Sequence, residues 1–583
     1  MTISFPQFGA ASITAKPLKA LNFGQAPQGN AAIDSTQAVD EFVPSSAAAV
    51  APQGLPVQFA GSFATNFSFS DKPWTEAQGD ALLVPAYQGK QHLAVKGQLA
   101  GLNDTVGGVI GDLYQDDEFG GATGQSAFVR TRGGDGLSYK KIGLLGLGAR
   151  KDIKAGKLEE AVTAALANPQ LAKASNLAVA LPSGNSKLSA DAAVQEVLRA
   201  VDGVTYRSLE AIDGSTRDVE AVTFHNAAEG TPYTAEQFEA ALARHQIVSK
   251  AVGLAKDLAN APHNHLNAVQ FAEKAIEVAA SLPNVTAEVQ DENWVRENMP
   301  AFYAVGKGAI QTDPPRFIKM TYKSPGKVKN RVALLGKSIM YDTGGVQDKA
   351  VHMNGMNKDM TGGAYAMAII QALGELQPEG IEVSVYLPAC TNADGPWAYK
   401  PSDILDTAAV DAKGNGKKIE VGHTDAEGRV TLYDAAALAA RDGFKNIISI
   451  ATLTGDAVNR SPGQVALVST ESNATLRDAI KKASEAEGEP FKEFPLEDKH
   501  FEANKCKHGN AHIRNISNDP KAGGLETAGA FIQDGLPGGN KDIRFVHLDI
   551  APVMVENYMA DPETGATGIG VRTVLNYILS QAK

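Results

Sequence analysis

Short apolar runs separated by helix-like stretches recur along most of this chain, and that alternation restricts its fold more than any other feature. ALLVPAY (81–87), KIGLLGLG (141–148), LAVALP (177–182) and VEAVTF (219–224) each have the length of one buried strand. Between them lie segments such as KLEEAVTAALAN, where apolar residues recur at three and four, as on a helix with one buried face. The pattern returns in RVALLG (331–336), EVSVYLPA (382–389), NIISIATL (446–453) and IRFVHLDI (543–550), with helices predicted over 362–375 and 431–441. Strands alternating with helices pair largely in parallel, so the expected class is α/β.

At 583 residues the chain exceeds one ordinary core, and the two runs of alternation predict two α/β domains. The expected plan is a flexible extension over 1–60, rich in Ala, Gln, Pro and Ser, then a smaller N-terminal domain over 61–233. A long segment over 234–260 has no proline or turn cluster and is expected to be a linking helix. Residues 261–583 form the larger domain, with a central mixed, mostly parallel sheet flanked by helices. The Gly-rich pieces FGGATGQ and TRGGDG match neither common phosphate loop and read as turns.

Composition narrows the function. A net charge of -12 works against sequence-independent binding of nucleic acid, which needs clustered Lys and Arg. No apolar stretch approaches the roughly 20 residues of a spanning helix, so no membrane partner is expected. Cys390 and Cys506 stand far apart without CxxC pairing, which supports neither a disulfide framework nor a thiolate metal site and fits a reducing, cytoplasmic setting. The N-terminus lacks the order of a secretory signal, and Lys16 and Lys19, with no acid before Asp34, give only a faint transit-peptide character.

The unusual residues collect in the second region. RVALLG runs into GKSIMYDTGGVQDKAVHMNGMNKDMTGG, which offers Lys337, Asp342, Lys349 and Asp359 just beyond a strand end, where functional groups of open α/β sheets gather. A second segment, EVGHTDAEGRVTLYDAA, places Asp425, Glu427 and Arg429 at alternate positions before another helix. Taken singly, each acid reads as a helix N-cap or a solvated face. Four carboxylates in two such loops repel one another unless cations neutralise them, and the combination reads as a binuclear metal site.

These motifs resemble those of the leucyl (cytosol) aminopeptidases, whose signature NTDAEGR appears here as HTDAEGR and whose GKGxxFDSGG appears as GKSIMYDTGG, followed by Lys349 and DMTGG. The similarity extends to GATGIGVRTVLNYI near the C-terminus. The resemblance implies that Lys337, Asp342, Asp359, Asp425 and Glu427 hold two divalent ions, Zn or Mn, with Asp342 and Glu427 shared. It implies that Lys349 stabilises the oxyanion and that Arg429 holds a bicarbonate ion. Met356, Thr452, Leu453, Gly455, Ala551 and Met554 then form an apolar pocket for a leucine-like first residue. The implied substrates are short peptides with a free N-terminus, the implied assembly a homohexamer, and Lys337 must lose its proton to ligate, which calls for a depressed pKa.

The chain departs from the family pattern at Ser338, Met340, Tyr341, Thr343 and His423, carries an insertion in DAKGNGKKIEV, and has a shorter interval from Lys349 to Asp359. Asp456 stands where a small apolar residue is typical; facing the pocket it would favour a basic first residue, facing outward it would be solvated. His508, His512 and His547 lack ligand spacing and read as surface or core residues. Two other functions are compatible with the motifs: a catalytically altered binding or scaffold protein, and a dipeptidase such as a Cys-Gly hydrolase.

Overall fold

The computed structural model describes residues 65–582, except 90–94, 96–97, 117, 132–136, 183–187, 207–217, 227–231, 352, 520, 538–541 and 558–560. The expected extension over 1–60 and most of TRGGDG lie outside the described residues.

The first sheet contains β1 (Asn66–Pro73), β2 (Gln78–Ala86), β3 (Ser126–Arg130), β4 (Ser138–Gly146), β5 (Asn176–Ala180) and β6 (Ala221–Asn226). Their order is β1-β6-β5-β2-β4-β3, parallel throughout except for the β3 edge. The four apolar runs expected here fall on β2, β4, β5 and β6. Val222 and Phe224 of β6 are fully buried beneath the helix Ala190–Thr205, whose Val194, Val197 and Leu198 share the same core. The FGGATGQ segment is a turn region, and Gly121 adopts φ +72 where a side chain would meet the Tyr87 carbonyl.

The second region is built on β7 (Val285–Gln290), β8 (Arg316–Lys323), β9 (Asn330–Gly336), β10 (Ser338–Asp342) and β11 (Ile381–Asn392). A hairpin of β12 (Ile404–Val410) and β13 (Gly416–Glu420) follows, and the inserted DAKGNGK forms its tip. Then come β14 (Asn446–Ala451), β15 (Val465–Thr470), β16 (Phe491–Leu496), the short β17 (Ile513–Arg514) beside β13, and β18 (Arg544–Asp549). The central order is β16-β15-β18-β14-β9-β11-β8-β7, with β10 on β11, and β14, β9 and β11 run parallel.

Both faces of this sheet are covered, which explains why its strands read as continuous apolar runs rather than alternating ones. Val332 and Leu334 of β9 join one core with the helix Thr361–Leu376, while Ala333 and Leu335 join another with the helix Glu427–Arg441. The two helices that follow the acidic motifs therefore lie on opposite faces of β9. Their first turns converge at its carboxyl end.

The helix Ala235–Asn260 starts with a capping box between Thr234 and Gln237. Phe238 and Ala241 near its start pack in the core of the first sheet, and Ala251, Leu254, Ala255 and Leu258 pack in a core of the second. One rigid element is thus built into both hydrophobic interiors.

Candidate metal centre

Lys337 follows β9 with its backbone fixed on both sides: its N–H donates to Ile450 O at 3.0 Å, and its carbonyl accepts from Gly363 N at 2.8 Å. The side chain runs past Gly428, where a Cβ would sit 2.3 Å from Lys337 Cε. Only glycine leaves that path open. Nζ then lies 2.7 Å from Asp359 Oδ1, 2.9 Å from Glu427 Oε1 and 2.8 Å from Thr452 O.

Asp342 ends β10, directly opposite Asn392 on β11. Its Oδ1 accepts from Gly344 N at 3.0 Å and from Asn392 Nδ2 at 2.8 Å, leaving Oδ2 for Lys349 Nζ at 2.8 Å. Lys349 Nζ also donates to Asp425 Oδ1. Asp342, Asp425 and Glu427 each offer an oxygen within 4.8 Å of the others, and Asp359 joins them through Lys337. All five residues expected to be ligands therefore converge, together with Lys349.

N-capping does not explain these acids. The capping positions of the two helices are Met360 and Ala426, and neither supplies a side-chain cap. Glu427 instead occupies the first turn of its helix, where the partial positive charge of the helix end favours a carboxylate. Lys337, Asp342 and Glu427 are 2%, 3% and 2% exposed, so water contributes little to screening them.

Two ammonium groups among four carboxylates leave the set net negative in a place where charge is costly. Burial, with Glu427 nearby, pushes the carboxyls of Asp342 and Asp359 upward against the pull of the lysines, and Asp425 shifts the same way. Glu427 moves in the other direction: burial opposes its charge, but Lys337 and Lys349 together hold it well below the usual range. Without cations, Lys337 is shifted upward. Burial acts against its ammonium, yet Asp359, Glu427 and Asp342 outweigh burial and raise its pKa.

The donor set suits divalent cations. Its oxygens are hard ligands, its charge is in deficit, and Glu427 Oε2 is buried with no hydrogen-bond partner. Arg429 is also buried, lowered to about 10 by desolvation, and its Nε has no hydrogen-bond partner while Nη1 donates to Asn515 O at 3.2 Å. A planar anion could use such a free edge.

The six residues expected to line a substrate pocket fall on three neighbouring turns. Met356 is in the turn before Asp359, Thr452 and Leu453 follow β14 and Gly455 opens the next short helix, and Ala551 and Met554 follow β18, which pairs with β14. Met356, Thr452, Ala551 and Met554 are buried, Leu453 is half-buried and Gly455 is exposed. Thr452 Oγ1 donates to Asp359 Oδ1 at 2.9 Å, which joins these turns to the acidic cluster. Asp456 is not simply solvated: its Oδ2 accepts from Arg460 Nη1 at 3.0 Å and from Leu525 N at 2.9 Å. His423 Nδ1 accepts from Asp425 N at 3.1 Å. His512 Nδ1 accepts from Lys418 N, and His547 is a fully buried core residue.

Sequence reasoning missed the polar residues that brace the cluster. Asn392, Thr424, Tyr399, Asn515 and Asp549 are all buried. Thr424 Oγ1 donates to Gly344 O, Tyr399 OH to Thr424 O, and Asp549 Oδ1 accepts from Leu453 N and Ala551 N. Asn392 and Asp549 end strands, and the strand-end rule that singled out Asp342 would have found them. A cavity of about 1360 Å³ between the two regions, lined by Glu159, Arg199, Lys256 and Arg572 among others, includes none of the candidate residues. The chemistry belongs with the converging charges rather than with that space.

Residues 253–575 match the catalytic domain of the cytosol aminopeptidase family, and residues 83–206 match its N-terminal domain. The chain is 33% identical over 515 residues to a probable cytosol aminopeptidase of Rippkaea orientalis, covering 87% of this chain and 98% of that protein. It is 32% identical to leucine aminopeptidase 2, chloroplastic, of Arabidopsis thaliana, covering 88% and 85%. Among solved structures it is similar to a mutant of tomato leucine aminopeptidase, with TM-score 0.74 at 27% identity over 89% of this chain and 98% of that one. The bottromycin maturation enzyme BotP in complex with Mn gives 0.69 at 25% identity over 87% and 100%.

Proposed function

The chain belongs to the cytosol aminopeptidase family, and on that footing we propose that it is a two-metal exopeptidase that removes leucine-like residues from the N-termini of short peptides. The observation that carries this reading is the largely buried convergence of Asp342, Asp359, Asp425 and Glu427 on Lys337 and Lys349. Zn or Mn held by Lys337, Asp342, Asp359, Asp425 and Glu427 supplies Lewis acidity and a water activated at neutral pH.

Lys337 must give up a proton before its Nζ can serve as a ligand, and in the metal-free set its three acidic neighbours hold that proton firmly. Lys349 stands at the edge of the cluster as a fixed positive charge, suited to stabilise the oxyanion that develops on the scissile carbonyl. Arg429, whose Nε has no hydrogen-bond partner, would hold a bicarbonate ion. Met356, Thr452, Leu453, Gly455, Ala551 and Met554 receive the first side chain, and two methionines give that wall an adaptable apolar surface. Asp456 Oδ2 is already engaged by Arg460 and by Leu525 N, which disfavours its selecting a basic first residue.

The residues over 61–233 are proposed as an N-terminal domain, 234–260 as the linking helix and 261–583 as the catalytic domain. The proposed assembly is a homohexamer and the proposed location cytoplasmic; among the described residues no helix is long and apolar enough to cross a membrane. The decisive assay is hydrolysis of Leu-p-nitroanilide by metal-stripped protein resupplied with Mn or Zn, beside the N-acetylated analogue. Turnover of the free amine alone is expected. Bound metal without turnover, or equal turnover of the acetylated compound, would defeat the exopeptidase reading. Light scattering should return six times the chain mass.

A further inference from the structure

Asn515 lies outside the central sheet, one residue past β17, and its side chain is 0% exposed. Its Oδ1 accepts from Gly422 N at 2.6 Å and His423 N at 3.2 Å. Its Nδ2 donates to His423 O at 2.7 Å and Ala426 O at 3.3 Å. The main chain of the same residue extends the contact, because Asn515 N donates to Glu420 O at 3.1 Å and Asn515 O accepts from Arg429 Nη1 at 3.2 Å. One residue thus spans the segment from Glu420 to Arg429, inside which Asp425 and Glu427 sit.

The segment between β13 and the helix at Glu427 is neither strand nor helix, so its N–H and C=O groups lack ladder partners and must be satisfied otherwise. Satisfying two N–H donors and two C=O acceptors with one side chain takes an amide, because a carboxylate only accepts and an ammonium only donates. The packing is close as well: a Cβ on Gly422 would lie 2.4 Å from Ile516 Cγ2 and 2.7 Å from Arg514 Nε. Across the loop, Thr424 N donates to Gln347 Oε1 at 2.9 Å and Gln347 N to Thr424 Oγ1 at 3.1 Å, so the loop is held from two sides.

Carboxylates that must remain together against their own repulsion need a frame that does not yield. We infer that Asn515 is a positioning residue of the metal centre, setting Asp425, Glu427 and Arg429 in one register; this rests on the reading of that centre proposed above. It touches neither the substrate nor the reacting atoms. Its effect passes through the backbone of residues 422–426 and the Arg429 guanidinium.

Asn515→Asp is the discriminating variant: it keeps the shape and both acceptors but turns an oxygen toward the carbonyls of His423 and Ala426. Titration calorimetry of metal-stripped protein with MnCl2 should show Mn2+ affinity weakened by about 10- to 100-fold. Turnover of Leu-p-nitroanilide should fall at limiting Mn2+ and partly return at saturating Mn2+, with KM little changed. Asn518→Ala is the control, since Asn518 Nδ2 ties the same segment to Lys505 O at 2.8 Å away from the acidic loop. It should lower the melting temperature and leave Mn2+ affinity intact. If Asn515→Asp does not fold, Asn515→Ala removes the four side-chain bonds without adding repulsion and should show the same loss of affinity. Wild-type affinity and turnover in the Asn515 variants, or an equal loss of affinity in Asn518→Ala, would overturn the inference. Wild-type protein that takes up no Mn2+ would overturn the metal-centre reading itself, a result seen before any variant is compared.

Discussion

The two lysines of the candidate centre both sit among its carboxylates but in different surroundings, and different roles are proposed for them. Lys337 is enclosed by Gly428, Asp359, Glu427 and Thr452, whereas Lys349 comes from a loop and pairs with Asp342 and Asp425, with 15% of its side chain exposed. Replacing Lys349 by Ala should therefore spare folding and lower kcat by on the order of 10²-fold or more with little change in KM, as expected for a charge that acts on the transition state. Steady-state kinetics on Leu-p-nitroanilide would measure it, and an unchanged kcat would remove Lys349 from the mechanism. His547 makes a prediction of a different kind. Burial, with Arg429 nearby, lowers its pKa to about 3, so the folded chain keeps it neutral while the unfolded chain takes a proton near pH 6.5. Stability from this group is fully present above pH 6.5 and is lost as pH falls toward 3, with on the order of 5 kcal/mol at stake. Denaturation midpoints should fall less steeply between pH 6.5 and 4.5 in His547→Asn than in the wild type.

At the scale of elements, strand and helix positions were legible because most of the apolar runs named in the sequence lie in strands whose residues are largely buried on both faces, where β-branched and aliphatic residues have few alternatives. The metal candidates were legible for another reason: Asp342 and Lys337 stand at strand ends and Glu427 at a helix start, places where a polar residue interrupts an apolar pattern. Asn515 was not legible. Its partners are backbone groups some 90 residues earlier, and one asparagine in a loop carries no periodicity. The sequence shows that carboxylates are present but not how near they come to Lys337, and at 2.7 and 2.9 Å in the metal-free set they outweigh burial. Helix geometry supplies a sharp test at Gly428. Alanine for glycine inside a helix usually stabilises by roughly 0.5–1 kcal/mol. Here the new Cβ would fall 2.3 Å from Lys337 Cε, so Gly428→Ala should reverse that sign, lower the melting temperature and abolish Mn2+ uptake. A more stable, metal-binding variant would show that Lys337 takes another path.

Across the whole molecule, the two α/β regions are joined by charge as well as by the shared helix. Arg572 reaches Glu159 of the first region at 3.6 Å and Glu489 of the second at 3.4 Å, and Arg199 pairs with Glu159 at 2.7 Å while approaching Glu487 at 3.8 Å. Glu489 is 4% exposed, so losing its cation is expensive. Arg572→Met should cost about 3–5 kcal/mol, the usual penalty for leaving a buried charge without its partner, read as a lowered midpoint in urea. A midpoint within error of the wild type would mean that Thr573, which donates to Glu489 Oε2 through N and Oγ1, suffices alone.

The path of Lys337 beside Gly428 has a consequence for how the protein is made. Synthesis delivers Lys337, Asp342 and Asp359 first, but the channel that encloses the lysine is closed by a helix whose first residue is Glu427. A chain still on the ribosome, with that helix not yet released, holds three of the five candidate ligands and no wall to orient them. On the proposed reading, hydrolytic capacity would arrive only once that helix has been made and folded against Lys337.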